Sequence, residues 1–540
     1  MKGKSFIIVF LLVFFVGSFF RFYQLGNIPG SMDWDEVSFG YNAYSVLHTG
    51  KDEYGVSHPL TFRAFGEYKQ PVYVYLNVVS IGLFGLNAFA VRFPSAFFGS
   101  LSIIFVYFLT YELFRKYKFS KNLALLTMFL YAISPWSIQF SRVAFEANVA
   151  LTLTIIAVWL FLRGLSLKNN WYLYLTTVLL CLSELTYISL RLIGPLLLIT
   201  LLIYGFSYFR KKKTILIILI LLFILGSGIG YLNSKSLARG QDVLFTNQQT
   251  QVLGSSVKKL QYIKEHHDIF GEIIYNRRVI YTEKFVENYF SHFNAQWLFL
   301  TGDTVPRHHA PGMGILYLVS LPFILLGIYF LFVRYLATSW IIFVWFLLAP
   351  LASSLTSDAP SALRSLIFLP TWQIFEAAGI IFIFEKIRKK NLLFALQIII
   401  LSLYTVNVCY YIQQYFVFTN KNTQFQKAWQ YGYEDAVLFA GRYKNSSNRI
   451  VFSKDFEQPY IFYLFYSRYD PAAYLASGGS SRIAKSCFTI NTVFFGDCKA
   501  KLRKGDIYIA LGADSSEVGK FINKVNYSNG EPAIILYKHQ

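Results

Sequence analysis

The strongest constraint in this sequence is the recurrence of apolar runs long enough to cross a lipid bilayer. A hydrocarbon layer about 30 Å thick needs about 20 apolar residues in helical form, and only helices or closed barrels satisfy backbone polar groups inside it. Such runs predict helices near 6–22, 92–114, 121–138, 148–165, 171–188, 192–209, 214–232, 313–333, 337–356, 365–385 and 392–413, eleven in all. The first follows Lys2 and Lys4, and Arg21-Phe22-Tyr23 stands where a signal peptide would carry small residues, so it reads as an anchor. Of 540 residues, 55% are hydrophobic and 15% charged, against about 25% charged in an ordinary soluble protein. Disorder, a collagen, a coiled coil and an ordinary soluble enzyme are excluded.

The formal net charge of +21 raises the question of a polyanionic partner. No zinc-finger, RRM or helix-turn-helix signature accompanies it, so nucleic acid is excluded as a partner. The positive-inside rule accounts for the charge instead. With the N-terminus in the cytoplasm, the cytoplasmic connections hold Arg115, Lys116, Lys118, Lys121, Arg163, Lys168, Arg210, Lys211, Lys212, Lys213, Arg334, Lys386, Arg388, Lys389 and Lys390, opposed by Glu112 and Glu385. Segments 23–91, 233–312 and 414–540 then face outward. Residues 1–413 read as a transmembrane domain carrying the first two segments as outer loops, and 414–540 as a small extracytoplasmic α/β domain. In that domain Arg449–Phe452, Tyr460–Tyr466, Asp506–Leu511 and Ala533–Tyr537 are expected as strands and Phe425–Tyr443 as an amphipathic helix. Cys487 and Cys498 pair if this region meets an oxidising compartment; Cys181 and Cys409 read as small apolar residues.

Chemistry concentrates in the outer loops. Ser31-Met32-Asp33-Trp34-Asp35-Glu36 places three carboxylates within four residues after the first helix. Such a cluster binds a cation, or raises the pKa of a member that works as a base, or caps a helix. Glu67-Tyr68-Lys69-Gln70-Pro71 precedes an aromatic helix opened by the proline; Lys69 either holds a phosphate or snorkels at the interface. Arg142 and Glu146 are four apart, the spacing of one helical face. Glu184, Arg191 and Glu376 lie in or at the ends of apolar helices, where ionisable groups are costly and candidates for function. Thr301-Gly302-Asp303 and Arg307-His308-His309 occupy the second long loop, and the histidines are candidate metal ligands with first-loop carboxylates, although no HExxH or CxxC supports a closed site. Arg364 in Ser357–Arg364 is a further candidate phosphate ligand. Gly226 and Gly230 are spaced for helix packing. No Walker A loop or dinucleotide fingerprint occurs.

Asp35-Glu36 in the first loop, Tyr68-Lys69-Gln70-Pro71 and Arg92-Phe93-Pro94-Ser95 resemble the GT-C superfamily of membrane glycosyltransferases, in particular the protein O-mannosyltransferase and lipid A aminoarabinose transferase type, over roughly residues 1–390. Gln70 departs from the usual Lys-Pro-Pro, and Glu146 stands where the family's second-loop acid is often Asp. The resemblance implies an inverting transfer of a sugar from a polyprenyl-phosphate donor to a hydroxyl of a protein, lipid or glycan on the outer face. Asp35 is then the base and Glu36 orients it or the acceptor. Lys69, Arg142, Arg191 and Arg364 bind the donor phosphate, and Asp33, Glu67, Tyr68, Glu146 and Arg307 bind or orient substrate. Metal dependence divides the superfamily: Asp33-Trp34-Asp35 resembles a metal-binding DxD, and Glu67 with His308 resembles the metal pair of the aminoarabinose branch. A divalent ion is thus a candidate cofactor with two candidate ligand sets. The alternative activity, a transporter or flippase of lipid-linked sugars, predicts repeated halves, and no strong internal repeat is visible.

Overall fold

The computed structural model describes residues 3–232, 244–246, 256–443, 449–484, 487–498, 502–512 and 519–540. Among them, seven helices are long and apolar enough to cross a membrane: Lys4–Phe22, Ala88–Phe114, Glu146–Leu167, Lys213–Gly230, Ser320–Ser354, Leu366–Lys386 and Lys390–Lys421. Ser120–Ile133 and Pro135–Ser141, bent by 58°, make an eighth if counted as one span. The expected eleven differ from this in two places. Asn170–Glu184 and Leu190–Tyr204 have 15 residues each, about 22 Å of helix. The spans expected at 313–333 and 337–356 are two arms of Ser320–Leu348, broken at Tyr335 (φ −131°, ψ 19°). Ser339 Oγ there donates to Leu331 O at 3.3 Å, and the Phe332 and Phe343 rings lie 5.8 Å apart. Residues eight and eleven apart meet this way only if the chain turns back on itself.

We label the site-building elements in chain order: α1 Gly3–Phe22, α2 Trp34–Thr49, α3 Pro71–Phe84, α4 Ala88–Phe114, α5 Ser120–Ile133, α6 Pro135–Ser141 and α7 Glu146–Leu167, with strands β1 Phe62–Ala64 and β2 Glu67–Lys69. Local chemistry sets their ends. Asp33 caps α2 by accepting from Glu36 N, and Gly50 (φ 69°) closes it in the left-handed region. Pro71 starts α3 at its first helical position. Pro135 separates α5 from α6, since it brings no backbone N–H to continue the ladder. β1 and β2 pair antiparallel through Phe65 (φ 56°) and Gly66 (φ 87°), both positive as a tight hairpin turn requires. The chain leaves α1 and enters α2, α3, α4, α6 and α7 at one end of the bundle. At the opposite end Glu112 pairs with Arg115 and Arg163.

The C-terminal domain holds β3 Ile450–Phe452, β4 Cys487–Ile490, β5 Val493–Gly496, β6 Ile507–Leu511, β7 Lys520–Asn526 and β8 Pro532–Lys538. They form one sheet in the order β4-β5-β3-β6-β8-β7, with β3 parallel to β5 and β6. Three of the four expected strands are present. The fourth, Tyr460–Tyr466, is a helix (Pro459–Tyr466) whose side chains are buried from Pro459 through Phe465; an apolar aromatic run buried all round carries no period to read. The expected helix 425–443 is two helices, Thr423–Ala428 and Tyr433–Tyr443, because Gln430 (φ 51°) and Gly432 (φ 90°) break it. Cys487 and Cys498 are disulfide-bonded. The domain shares a hydrophobic core with α2 and α3: Val37, Phe39, Tyr41 and Tyr73 pack with Tyr460, Phe462 and Phe465.

Candidate active site

The site is a cavity of about 480 Å³ at the end of the bundle, beneath the C-terminal domain. Asp35 lines it, together with Glu67, Glu146 and Glu457. Capping by Asp33 sets the first turn of α2 and leaves the Asp35 side chain 28% exposed to the cavity. Lys69 comes from the hairpin: on β2 alternate residues share a face, so Glu67 and Lys69 both line the cavity. The Lys69 ammonium lies 2.7 Å from Asp35 Oδ1, 3.2 Å from Asp35 O, and over the Phe39 ring at 4.4 Å. Its side chain is only 4% exposed, which strengthens the pair relative to one in water.

Arg307 and Arg364 also line the cavity. Arg307 sits on the turn Pro306–His308, pinned because Gln139 Nε2 donates to Arg307 O at 2.7 Å. Its guanidinium donates to Asp33 Oδ2 at 2.7 Å and lies 5.2 Å from the Trp34 ring. Arg364 pairs with Asp358, whose carboxyl it holds below its ordinary pKa. Burial pushes Asp33 the other way, up to about 6, with Arg307 opposing the rise. Glu146, at the N-terminus of α7, completes the charged wall.

Several expected roles are corrected by geometry. Glu36 is fully buried and faces away from the cavity. Its two oxygens accept from Arg92 at 2.9 and 2.8 Å, and Oε1 also accepts from Ala144 N at 2.8 Å. Arg92 further donates to Leu25 O, Pro29 O and Ser31 O, so the pair binds the first loop to α4 and the turn before α7. Arg142, expected as a phosphate ligand, does not line the cavity either. Buried, it donates to Phe20 O at 2.7 Å, Arg21 O at 3.2 Å and Ile28 O at 3.0 Å, satisfying carbonyls left open where α1 ends. It does not share a helical face with Glu146, since α6 ends at Ser141 and α7 begins at Glu146. Arg191 donates to Gln70 Oε1 at 3.0 Å and does not line the cavity. Tyr68 points to the opposite face of β2 from its neighbours in the cavity. Glu376 accepts from Ser320 and Tyr404 inside the bundle.

Neither candidate metal set is assembled. His308 Nδ1 faces Asp303 Oδ2 at 3.2 Å, its ring lies against Phe140 and Phe145, and it is absent from the cavity wall that holds Glu67. Asp33 is committed to Arg307 and to Glu36 N. Among the described residues no three His, Cys, Asp or Glu side chains gather as a metal site. Sequence reasoning missed Tyr187, Phe456, Glu457 and Gln458, which also line the cavity. The left-handed Gln458 (φ 53°) next to Pro459 marks a sharp turn without pointing to this site.

A bundle that presents an acidic first loop, a Lys-bearing hairpin and a basic wall at one end, under a C-terminal α/β domain, is the architecture of the GT-C membrane glycosyltransferases. The chain has that fold, and it resembles the protein O-mannosyltransferase and ArnT type. Residues 63–229 match the sequence family described as dolichyl-phosphate-mannose-protein mannosyltransferase. ArnT from Cupriavidus metallidurans in the apo state superposes with a TM-score of 0.56 at 11% identity, over 99% of this chain and 98% of that one. The same protein bound to undecaprenyl phosphate gives 0.54 at 12% over the same shares. The Archaeoglobus fulgidus oligosaccharyltransferase tethered with an acceptor peptide gives 0.49 at 15%, over 86% of this chain and 63% of that one. No curated protein matches the chain in sequence.

Proposed function

We propose that this protein is an inverting glycosyltransferase that moves a sugar from a polyprenyl-phosphate donor to a hydroxyl acceptor on the outer face of a membrane. The observation that carries the reading is the Asp35 carboxylate in a cavity shared with three cations, Lys69 in contact with it at 2.7 Å and Arg307 and Arg364 also lining it. The match of residues 63–229 to a lipid-phosphate-sugar family supports it, as does the fold shared with a protein bound to undecaprenyl phosphate.

The acceptor oxygen attacks the anomeric carbon from the face opposite the phosphate. The bond from that carbon to the phosphate oxygen breaks and its electron pair leaves on the phosphate. The acceptor proton passes to Asp35. A phosphate is a stabilised leaving anion, whereas a hydroxyl needs a base, so one carboxylate and fixed cations suffice. Lys69 now has two anions to serve. An arriving phosphate draws its ammonium from Asp35, which ties release of the base to donor occupancy. Arg307 and Arg364 replace Arg142 and Arg191 as its companions.

The orientation follows the charge pattern: Arg115 and Lys116 lie at the end opposite the site, in the cytoplasm, and the Cys487–Cys498 disulfide suits an oxidising outer compartment. The test is sugar release from polyprenyl-phosphate sugars by the protein in nanodiscs, followed by mass spectrometry. Asp35→Asn is expected to lose about 10²- to 10⁴-fold. Equal release by both proteins would remove Asp35 as the base; movement of intact donor across a vesicle membrane without release would favour a flippase.

A further inference from the structure

The C-terminal sheet has a second cleft that the transfer chemistry leaves unused. From β3 the chain runs to β5 on one side of it and then crosses to β6 on the other, so the parallel strands diverge between β3 and β6. In open α/β sheets ligands bind at the carboxyl ends of strands where the order reverses. At that edge lies a cavity of about 580 Å³, within the range of small-ligand sites. Asp455 follows β3, Gly512 follows β6, and Tyr527 follows β7; Lys427, Gln430 and Glu457 add to the wall.

Two observations mark it as built for a ligand beside the catalytic cavity. Gln430 is 5% exposed, and its Nε2 hydrogens, beside the Tyr433 hydroxyl, lack an acceptor of good geometry. An unsatisfied buried amide is costly unless something else binds it. Its Oε1 accepts from Trp34 N at 2.8 Å, the residue before Asp35. Glu457 lines both cavities.

The donor set selects the ligand class. Gln430 Nε2 and Lys427 donate; Asp455 and Glu457 accept. A phosphate would only accept and an ammonium only donate, whereas hydroxyl groups do both at neighbouring positions. The acidic excess over Lys427, itself paired with Glu531 at 3.3 Å, repels anions. We propose that this cleft is an acceptor site for a neutral, polyhydroxylated carbohydrate, whose reacting hydroxyl reaches Asp35 past Glu457. The acceptor role rests on the glycosyltransferase reading above.

The test is saturation-transfer NMR on the full-length protein in nanodiscs. The probes are methyl α-mannopyranoside, methyl β-galactopyranoside and N-acetylglucosamine, with inorganic phosphate and trilysine as charged controls and undecaprenyl phosphate as the donor-site probe. At least one sugar is expected to bind saturably. Its affinity should fall at least fivefold in Tyr527→Ala and in the shape-conserving Asp455→Asn, both melting as wild type, while undecaprenyl phosphate binding is unchanged. No sugar bound, binding unaffected by both variants, or binding of only phosphate or trilysine would overturn the proposal. Sugar binding without undecaprenyl phosphate binding would leave a carbohydrate cleft standing and bring down the donor reading instead.

Discussion

At the scale of single residues, the acidic triplet divides into three tasks that adjacency conceals. Asp35 faces the cavity, Glu36 is sealed against Arg92, and Asp33 caps α2 while holding Arg307. Removing one partner of a sealed pair strands the other charge. Glu36→Gln is therefore expected to destabilise the protein by about 3–5 kcal/mol, read as a fall in thermal midpoint. A Glu36→Leu/Arg92→Leu double variant should lose much less than the two single losses combined; additive losses would show the pair to be uncoupled. Asp33 gives a pH dependence. Its folded pKa, raised to about 6 from 3.8, means that ionisation costs stability above about pH 6, a cost relieved as pH falls toward the unfolded value. Below about 6 the protonated acid also releases Arg307, so donor turnover should fall there even as the fold grows more stable. Asp33→Asn keeps the capping oxygen, is expected to be about tenfold slower at neutral pH, and should lack that acid limb in turnover measured from pH 4.5 to 8. A limb that persists belongs to another group. The acids and Lys69 were legible as candidates because they are close in sequence or flank a proline. The partners of Glu36 and Arg142 were not, since Arg92 lies 56 residues from Glu36 and the Arg142 acceptor Phe20 lies 122 away, and nothing local encodes such pairs.

At the scale of elements, hydropathy revealed where helices lie and left open how they break. The break at Tyr335 falls where hydropathy put it, since Arg334 parts the two apolar runs expected at 313–333 and 337–356. The aromatic segment Tyr460–Tyr466 carries β-favouring residues, yet Pro459 at its start and burial on all sides make it a helix. Gly226 and Gly230 do serve packing: a Cβ on Gly226 would stand 2.6 Å from Cys181 Sγ. A closer crossing was not singled out. Gly327 and Gly379 bring Ser320–Leu348 and Leu369–Lys386 together so tightly that a Cβ on either would lie 1.7 Å from Phe375 O or 1.9 Å from Phe323 O. Backbone cannot yield as a side-chain tip can. Gly327→Leu is expected to cost about 3 kcal/mol or more, seen as a large drop in thermal midpoint in detergent. Gly228→Leu, with nothing within 4 Å, is the matched control. Equal melting of the two variants would mean that the crossing tolerates separation.

At the scale of the whole molecule, the division into a membrane domain and a C-terminal domain, drawn from composition, does not coincide with the cores. The second core runs from α2 and α3 into the C-terminal helix Pro459–Tyr466. Gly40 on α2 has no room for a side chain, because a Cβ there would meet the Phe465 ring at 2.5 Å and Val91 at 2.7 Å. Glu53, buried in the first loop, accepts from Asn42 Nδ2 at 2.9 Å and from Ser480 Oγ at 2.5 Å, and Ser480 N donates to Glu53 O at 2.9 Å. Gln430 holds Trp34 N. The helix that carries Asp35 is thus packed and hydrogen-bonded from above by the C-terminal domain. If that domain only chose the acceptor, a chain ending at residue 421 would keep turning over donor. The shared core predicts otherwise. Truncation there uncovers Phe39 and Tyr41 and leaves Glu53 and Trp34 N without these partners, so donor turnover and transfer should fall together. The 23–91 segment should become sensitive to protease while the bundle stays intact. Truncated protein that retains donor turnover and a protected first loop would restore the domain to a purely selective role.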